Sequence, residues 1–264
     1  MSDSTNCPVR RRLLSFLAIG IVAASGAWAQ GYRPMTTYGT PDIQGIWTAY
    51  NTAQYNLEAH NGATGIHPGK SFVVDPADGM IPYVPAARET QQDNFLHRRQ
   101  RDLLKTSCYM AGVPRFVTDG FPFQILQTKK YIMLATEFAH GLRYVYMDRD
   151  EHIYDGVDFW LGDSIGRWEG ATLVVDSTNF NDRTWMDDSG NFHSTQLHTI
   201  ERFTRVDADH MTYEVLVDDP GVLTQPYTIR MELHRNEDPN AQLLEYECHS
   251  YFEDDAAMAR SSEE

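Results

Sequence analysis

The chain has 264 residues and a formal net charge of −15, with 42% apolar residues and 14 tyrosines. An acidic surface repels phosphate backbones and anionic headgroups, which excludes nucleic acid as an expected partner and disfavours a membrane surface. Tyrosine combines apolar area with a polar tip and suits a pocket for an aromatic ligand, although strands also favour this residue.

The first 29 residues have the pattern of an export signal. Arg10 to Arg12 precede an apolar run, Leu13 to Ala24, and the triplet Ala27-Trp28-Ala29 follows. This order predicts a cleaved signal peptide, a mature chain beginning near Gln30, and a periplasmic or secreted location. The apolar run has about 12 residues, short of the roughly 20 that a membrane helix needs, so we expect no stable membrane insertion after cleavage. An uncleaved anchor and twin-arginine export are the alternatives.

Export changes the interpretation of the cysteines. Cys7 would leave with the signal peptide, and Cys108 and Cys248 would remain in an oxidising compartment. An even number of cysteines there predicts a disulfide between these two, which would tie the middle of the chain to its last strand. Two free buried thiols are the alternative.

The mature chain, residues 30–264, is expected to form a single domain with an irregular arm at its start. Residues 30–70 are rich in Gly, Asn, Thr and Pro, with one short strand candidate around Ile46 to Tyr50. Pro85 to Leu104 is the one convincing helix, because it begins with proline and mixes charged residues with Ala and Leu.

Most of the chain after Phe121 has β character. Period-two alternation is cleanest in two segments, one of which includes Tyr213 on its apolar face. The expected strands are Phe123–Thr128, Tyr131–Phe138, Leu142–Asp148, Thr172–Thr178, Leu197–Val206, Met211–Val217, Tyr227–Leu233 and Leu243–Phe252. Strands with mostly short connections predict an antiparallel up-and-down β-barrel, lipocalin-like, with about eight strands and room for one small ligand. A β-sandwich is the alternative.

The densest motif is the segment from Gly162 to Gly170, with the letters GDSIGRWEG. Its glycines favour a tight loop before the next strand, with Trp168 capping the barrel and available to contact substrate. Gly162, Ser164 and Gly166 match the Gly-x-Ser-x-Gly letters of a nucleophile elbow. An elbow lies between a strand and a helix, whereas a strand is expected here, so we do not infer a serine hydrolase.

Two histidines and a carboxylate lie close together in the segment that contains His193, His198 and Glu201. Imidazoles transfer protons near neutral pH, so His198 or His193 is the expected acid or base. The same donors could bind a metal, but on a strand His198 and Glu201 point to opposite faces, and no metal is expected there. Purely structural histidines are the remaining alternative.

A second polar group surrounds a predicted hairpin turn and comprises Glu137, His140 and Arg143. Glu137, like Glu201, could orient a catalytic histidine, while Arg143 and His140 could bind an anionic substrate group. A salt bridge between Glu137 and Arg143 is the structural alternative. Asp187 and its neighbours Asp182 and Asp188 are expected to be solvated loop residues.

Several blocks between Glu137 and Arg202 resemble a group of exported bacterial proteins with the pattern GDSxGxWEG…TLVV…NFHSxxLHxxER. The blocks here are AHGLR from Ala139, WLGDSIGRWEG from Trp160, TLVVDSTNF from Thr172, NDRTW from Asn181 and NFHSTQLHTIER from Asn191. The end Tyr246-Glu247-Cys248-His249 is similar to that group's Cys-His ending, but Ser250-Tyr251-Phe252 replaces its Glu-Gly-Asn. The resemblance implies that His140, Arg143, His193, His198 and Glu201 share a site or a scaffold.

Together these patterns predict an exported enzyme that acts on a small hydrophobic compound of aromatic or terpenoid type. The chain has no dinucleotide fingerprint and no phosphate loop, so we expect no organic cofactor. The chemistry that remains is acid–base catalysis, and a lyase or an isomerase is expected in preference to a hydrolase. A non-catalytic carrier of the same ligand is the main alternative, and a metal-dependent hydrolase is the third.

Overall fold

The described residues fold into a closed barrel that is mainly β-structure. The computed structural model describes residues 33–153 and 156–249, so the predicted signal peptide and Cys7 lie outside the described residues. Nine strands close the barrel in the order β1-β3-β4-β5-β6-β7-β8-β9-β10, and β10 pairs back to β1. A tenth strand, β2, adds to β10 outside the ring. The bounds are β1 Gly45–Thr48, β2 Val73–Asp75, β3 Phe123–Gln127, β4 Tyr131–Thr136, β5 Leu142–Tyr146, β6 Asp163–Glu169, β7 Thr172–Thr178, β8 His198–Arg205, β9 His210–Asp218 and β10 Tyr227–Arg235.

The predicted β-barrel is therefore confirmed, while its lipocalin-like form stays a prediction. Two of the differences in detail concern the strand at the glycine-rich motif. One is an additional strand, β6, at the motif that we expected to be a loop. The other is the pairing of β5 with β6, which is parallel, whereas the other barrel pairs are antiparallel. Parallel neighbours need a crossover connection, and the long segment between Tyr146 and Asp163 supplies it.

Close packing and backbone conformation explain the glycines of the Gly162–Gly170 motif. Gly166 lies inside β6, and a Cβ there would come within 2.6 Å of the Met147 sulfur and 2.7 Å of a Val145 methyl. Gly162 and Gly170 flank the strand with φ of +70° and +64°, where glycine costs least. Trp168 is on the same face of β6 as Ser164, partly buried against the core.

The predicted helix is interrupted twice. The observed helices are α1 Pro85–Leu96, α2 Arg98–Arg101, α3 Leu103–Ser107 and a separate α4 Arg115–Thr118. Asp102 separates α2 from α3 because its backbone is extended and its carboxylate accepts the N–H of Leu104. The same carboxylate accepts two hydrogen bonds from Arg115, which fixes the break by tertiary contact. None of the helices within the described residues is long and apolar enough to span a membrane.

Inward-facing side chains fill the barrel as the alternation predicts. On β9 and β10 the alternating apolar positions of the inward face are buried, among them Tyr213 and Ile229, each fully inaccessible, whereas Leu216 on the other face of β9 is exposed. On β8 the buried set is Thr199, Glu201, Phe203 and Arg205, while the residues between them are half-buried. The barrel interior therefore contains charged groups as well as apolar ones.

The end of the chain differs from the expected last strand. Tyr246 makes one isolated bridge with Phe138, and the described residues from 241 to 249 contain no strand. The Cys108–Cys248 disulfide is confirmed, with Cα atoms 5.8 Å apart. It joins the end of α3 to this irregular terminal segment.

The loop carrying Asp187 and Asp188 is buried, so the prediction that these residues are solvated was wrong. Asp187 accepts the backbone N–H groups of Leu57 and Ser189, each at 2.9 Å. Asp188 accepts a hydrogen bond from the buried Arg115 at 2.6 Å. In the interior these backbone donors and this guanidinium have few other hydrogen-bond acceptors. The two carboxylates therefore anchor the loop to the N-terminal arm and to the helices.

Candidate functional site

A buried polar cluster lies inside the barrel and contains Arg143, Glu201 and Tyr213. The guanidinium of Arg143 donates two hydrogen bonds to the Glu201 carboxylate, and the Tyr213 hydroxyl donates a third at 2.7 Å. Arg143 also donates to the hydroxyls of Ser164 at 3.1 Å and Ser177 at 2.9 Å. We refer to these five residues as the interior cluster.

The charges of the interior cluster are matched. Burial alone would lower the pKa of Arg143, but the Glu201 carboxylate outweighs burial and raises it. Burial raises the pKa of Tyr213 well above its usual value, and Glu201 raises it further, so the phenol remains a neutral donor. Arg143 is 2% exposed and Glu201 is fully buried. The cluster therefore holds a closed ion pair with its hydrogen bonds satisfied.

A second cluster lies on the outer surface of the same strands. His198, the first residue of β8, donates through Nε2 to Asp176 on β7 at 2.8 Å. The Nε2 of His152, from the β5–β6 connection, lies 3.2 Å from the same Asp176 oxygen. The other nitrogen of His152 is 3.0 Å from Asp163, the first residue of β6. We refer to His152, Asp163, Asp176 and His198 as the outer cluster.

Strand register explains how the outer cluster forms. In the β7–β8 pair, Asp176 is opposite Ile200, so its side chain lies on the same outer face as His198 two residues earlier. The neighbouring residue Ser177 points inward and belongs to the interior cluster. One pair of strands thus supplies residues to both clusters, on opposite faces.

The hydrogen-bond pattern follows from the partners. Both ring nitrogens of His152 lie within hydrogen-bond distance of carboxylates, Nδ1 of Asp163 and Nε2 of Asp176. In His198 the proton on Nε2 is committed to Asp176, so the neutral ring has its lone pair on Nδ1. Burial opposes ionisation of Asp163, but the hydrogen bonds from Arg149, from the Ile153 N–H and from His152 hold its pKa below the usual range.

The outer cluster borders a surface cleft of about 670 Å³. His198 and His152 lie in its wall, and the side chain of His198 is 37% exposed. The rest of the lining mixes apolar and polar groups and consists of Ile153, Gly156, Val157, Asp158, Thr178, Asn179, Phe180, Thr195, Gln196 and Leu197. The cleft can therefore present one histidine to a ligand that has both an apolar part and a polar part.

A smaller cavity of about 330 Å³ lies near the parallel seam of β5 and β6. Its wall is rich in aromatic residues and includes Tyr144, Tyr146, Phe159 and Trp160. Asp158 lines both this cavity and the histidine cleft. Arg143 and Ser164 of the interior cluster also contribute to this wall, although both are buried.

The remaining predicted site residues lie apart from the cleft. His193 is buried: its Nδ1–H donates to the Ser194 carbonyl at 3.0 Å and its Nε2 accepts from the Thr184 hydroxyl at 2.7 Å. Burial lowers the pKa of His193, which keeps the ring neutral. His193 therefore does not line the cleft that contains His198.

The hairpin group is also dispersed. Glu137 accepts the backbone N–H of Leu244 at 2.9 Å, and His140, in a left-handed turn with φ of +48°, lies 2.8 Å from Glu247. The suggested Glu137–Arg143 salt bridge is replaced by the pair with Glu201. Neither Glu137 nor Glu201 orients His198, because that position belongs to Asp176.

The sequence interpretation missed His152 and Asp176 and treated Asp163 only as a turn former. A signal was present for Asp176, since an acidic residue interrupts the apolar strand segment Leu173-Val174-Val175. His152 lies in a long connection with no motif around it, so nothing in the sequence joined it to His198.

Comparison with known proteins adds no identification. No protein-family model matches the chain, and no curated protein and no solved structure matches it. The resemblance to exported bacterial proteins therefore stays a prediction, and the function is argued from the geometry of the cleft.

Proposed function

We propose that the protein is an exported enzyme that carries out cofactor-free acid–base chemistry on a small, largely hydrophobic molecule, with His198 as the proton-transfer group. The observation that carries this proposal is the pair of imidazoles, His152 and His198, that share the Asp176 carboxylate in the wall of a 670 Å³ cleft. A carboxylate that fixes the tautomer and orientation of a histidine is a recurring arrangement in general acid–base catalysis.

In this reaction His198 acts through Nδ1. The neutral ring takes a proton from a C–H or O–H bond of the substrate, and the resulting imidazolium is stabilised by Asp176. The electron pair left behind forms a double bond while a leaving group departs with its own bonding electrons and takes the proton from the imidazolium, or the same ring returns the proton to another carbon. The first outcome is an elimination and the second an isomerisation. His152 is a positioning residue, because its two ring nitrogens contact Asp176 and Asp163 and hold these side chains in place.

The cleft limits the substrate to a small molecule with an apolar body and a polar edge. Ile153 and Val157 offer apolar contacts, while the exposed Gln196 offers an amide for hydrogen bonds. The volume falls within the range of small-molecule sites, and the mixed lining suits an oxygenated aromatic or terpenoid-like compound.

The test is a product screen with matched variants. Untagged mature protein is incubated with a panel of oxygenated aromatic and terpenoid compounds, and products are followed by mass spectrometry for isomers and for loss or gain of water. We expect turnover by the wild type that falls ~10²-fold or more in His198→Gln, with the substrate still bound. The control His97→Gln changes a surface histidine outside the cleft and should be unaffected. Turnover that persists in His198→Gln would contradict the proposal.

A non-catalytic carrier is the second candidate, and the aromatic cavity near β5 and β6 favours it. Tyr144, Phe159 and Trp160 offer aromatic faces to a flat ligand without an adjacent histidine. A hydrophobic fluorescent probe should then bind the wild type and lose affinity in Trp160→Ala but not in His198→Gln. Binding with this pattern and no turnover across the panel would favour the carrier over the enzyme.

A further inference from the structure

A separate group of potential metal ligands lies on the outer face of the β9–β10 hairpin. His210 begins β9 and is directly opposite His234 on β10, while Glu232 is two residues before His234 and so lies on the same face. One ligand atom from each of the three residues falls within 4.8 Å of the others. The His234 Nε2 lies 3.5 Å from the Glu232 Oε1, and the two imidazole rings are 5.2 Å apart.

Asp207 fixes the orientation of His210. Its two carboxylate oxygens each lie 2.9 Å from the Nδ1 of His210. The Asp207 carboxylate is held in turn by the backbone N–H groups of Asp209 and His210, both at 2.8 Å. With the proton on Nδ1, the lone pair of His210 is on Nε2. A carboxylate behind a histidine in this way is the usual outer support of a metal-binding imidazole.

Glu232 pairs with no lysine or arginine within residues 33–153 and 156–249. Its one ion-pair partner in these ranges is His234. The contrast is Glu214 on the neighbouring strand, which pairs with Arg230. Glu232 is therefore free to act as an anionic ligand, and its charge favours a cation between the two histidines.

We propose that His210, Glu232 and His234 bind one divalent first-row transition metal, of which Zn²⁺ is the reference case. Two imidazoles and one carboxylate are a known zinc ligand set, with water in the fourth position. Ligand bonds of roughly 2.1 Å in a tetrahedron separate neighbouring ligand atoms by about 3.4 Å. The 3.5 Å between His234 and Glu232 already fits that separation. This site is separate from the segment of His198 and Glu201, where no metal is expected, and it does not depend on the proposed cleft chemistry.

The position of the site predicts a structural consequence. His234 is also paired with Thr48 of β1, at the seam where β10 closes the barrel. A metal held by both His210 and His234 cross-links the start of β9 to the end of β10 beside that seam. Because the unfolded chain does not preassemble these ligands, bound metal should stabilise the folded state, and the gain should grow with the logarithm of the free metal concentration above the Kd.

The experiment measures Zn²⁺ binding to untagged, chelator-treated mature protein by titration calorimetry, together with the Tm at increasing Zn²⁺. We expect one saturable site and a rising Tm. His210→Gln, His234→Gln and Glu232→Gln should each weaken binding at least ~10-fold, and Asp207→Asn should weaken it ~10–100-fold while keeping the stoichiometry. His97→Gln is the matched control, because His97 also contacts a carboxylate, Asp93, at 3.1 Å but has no third donor.

Three outcomes would overturn the proposal: no saturable binding by the wild type, unchanged binding in the ligand variants, or an equal loss in His97→Gln. His198→Gln separates this site from the cleft, since Zn²⁺ binding lost in that variant alone would assign the metal to His198. If one ligand variant fails to fold, Asp207→Asn decides the question, because it changes an exposed carboxylate that does not itself bind the metal.

Discussion

The interior and outer clusters use the same strands for opposite purposes. Glu201 and His198 are three residues apart on β8, and Ser177 and Asp176 are adjacent on β7, yet the first of each pair points inward and the second outward. Inside, Glu201 is matched by Arg143 and shielded from water. Outside, Asp176 is matched by histidines, one of which is 37% exposed. Strand alternation thus decides whether a carboxylate supports the barrel or can orient a proton-transfer group.

The first prediction concerns loss of the buried ion pair between Arg143 and Glu201. Glu201→Gln leaves the buried guanidinium of Arg143 without a counter-charge, and we expect a loss of about 3–5 kcal/mol in the free energy of unfolding. The matched change in the outer cluster is Asp176→Asn, which should cost less than about 1 kcal/mol because its partners are partly solvated. Urea unfolding with the disulfide intact measures both. Equal losses would show that the two clusters do not differ in the way the geometry indicates.

The second prediction removes one hydrogen bond from the interior cluster. Tyr213→Phe deletes the hydroxyl that donates to Glu201 at 2.7 Å and keeps the ring. A hydrogen bond to a charged group contributes about 1.5–3 kcal/mol, so we expect a loss of that size. Tyr144→Phe, at an exposed position of β5, is the control and should change the free energy of unfolding little. If Tyr213→Phe leaves the free energy of unfolding unchanged, the hydrogen bonds from Arg143 alone are sufficient for the buried Glu201 carboxylate.

The third prediction concerns a sealed cluster whose charges are not balanced. Arg115 is fully buried and pairs with Asp102, Asp119 and Asp188. Burial raises the pKa of Asp119 to about 6, although Arg115 opposes the shift. The ordinary value for an unfolded chain is about 3.9, so the folded state binds this proton more tightly. The stability that Asp119 contributes is present below pH ~4 and is lost as the pH rises to ~6.

Asp119→Asn should remove that pH dependence. The variant should match the wild type near pH 4 and exceed its free energy of unfolding by about 3 kcal/mol at pH 7. The measurement is urea unfolding of both proteins at a series of pH values. A variant that is less stable than the wild type at pH 7 would mean that the ion pair of Asp119 with Arg115 outweighs its burial.

The smallest expected effect is that of His198→Gln on stability. Its hydrogen bond to Asp176 is partly exposed, so the free energy of unfolding should change by no more than about 0.5 kcal/mol. Thermal unfolding of the variant beside Glu201→Gln gives the comparison. A severely destabilised His198→Gln would assign this histidine to the scaffold and would remove the basis for its catalytic role.

The strands after Phe121 were predictable because alternation is a local property. β9 and β10 have the expected apolar faces, and β3, β4, β5, β7 and β8 match predicted segments to within a few residues. β6 was not predictable in the same way, because its glycines and turn-forming residues favour a loop. Gly166 instead allows β6 to pack against Val145 and Met147, which is a contact between distant parts of the chain.

The site residues show the same division between what local sequence predicts and what distant contacts decide. Arg143, Glu201 and Tyr213 were each selected from the sequence, and the resemblance grouped Arg143 with Glu201, but nothing in the sequence joined Tyr213 to them. The polar character of β8 on both faces indicated that some charged group would be buried, and that group proved to be Glu201 and not His198. His152 could not be connected to His198 because only the crossover between β5 and β6 brings it to Asp176.

The sequence alone determined the β-rich class, most strand positions, the alternation that separates His198 from Glu201, and the pairing of Cys108 with Cys248. These depend on local periodicity or on a choice among few residues. Only the tertiary structure decided which face of each strand became the interior, how β10 closed on β1, and which groups His198 and His210 contact. Those features depend on register and closure across long stretches of chain, where the free energy comes from packing the whole barrel and not from any single segment.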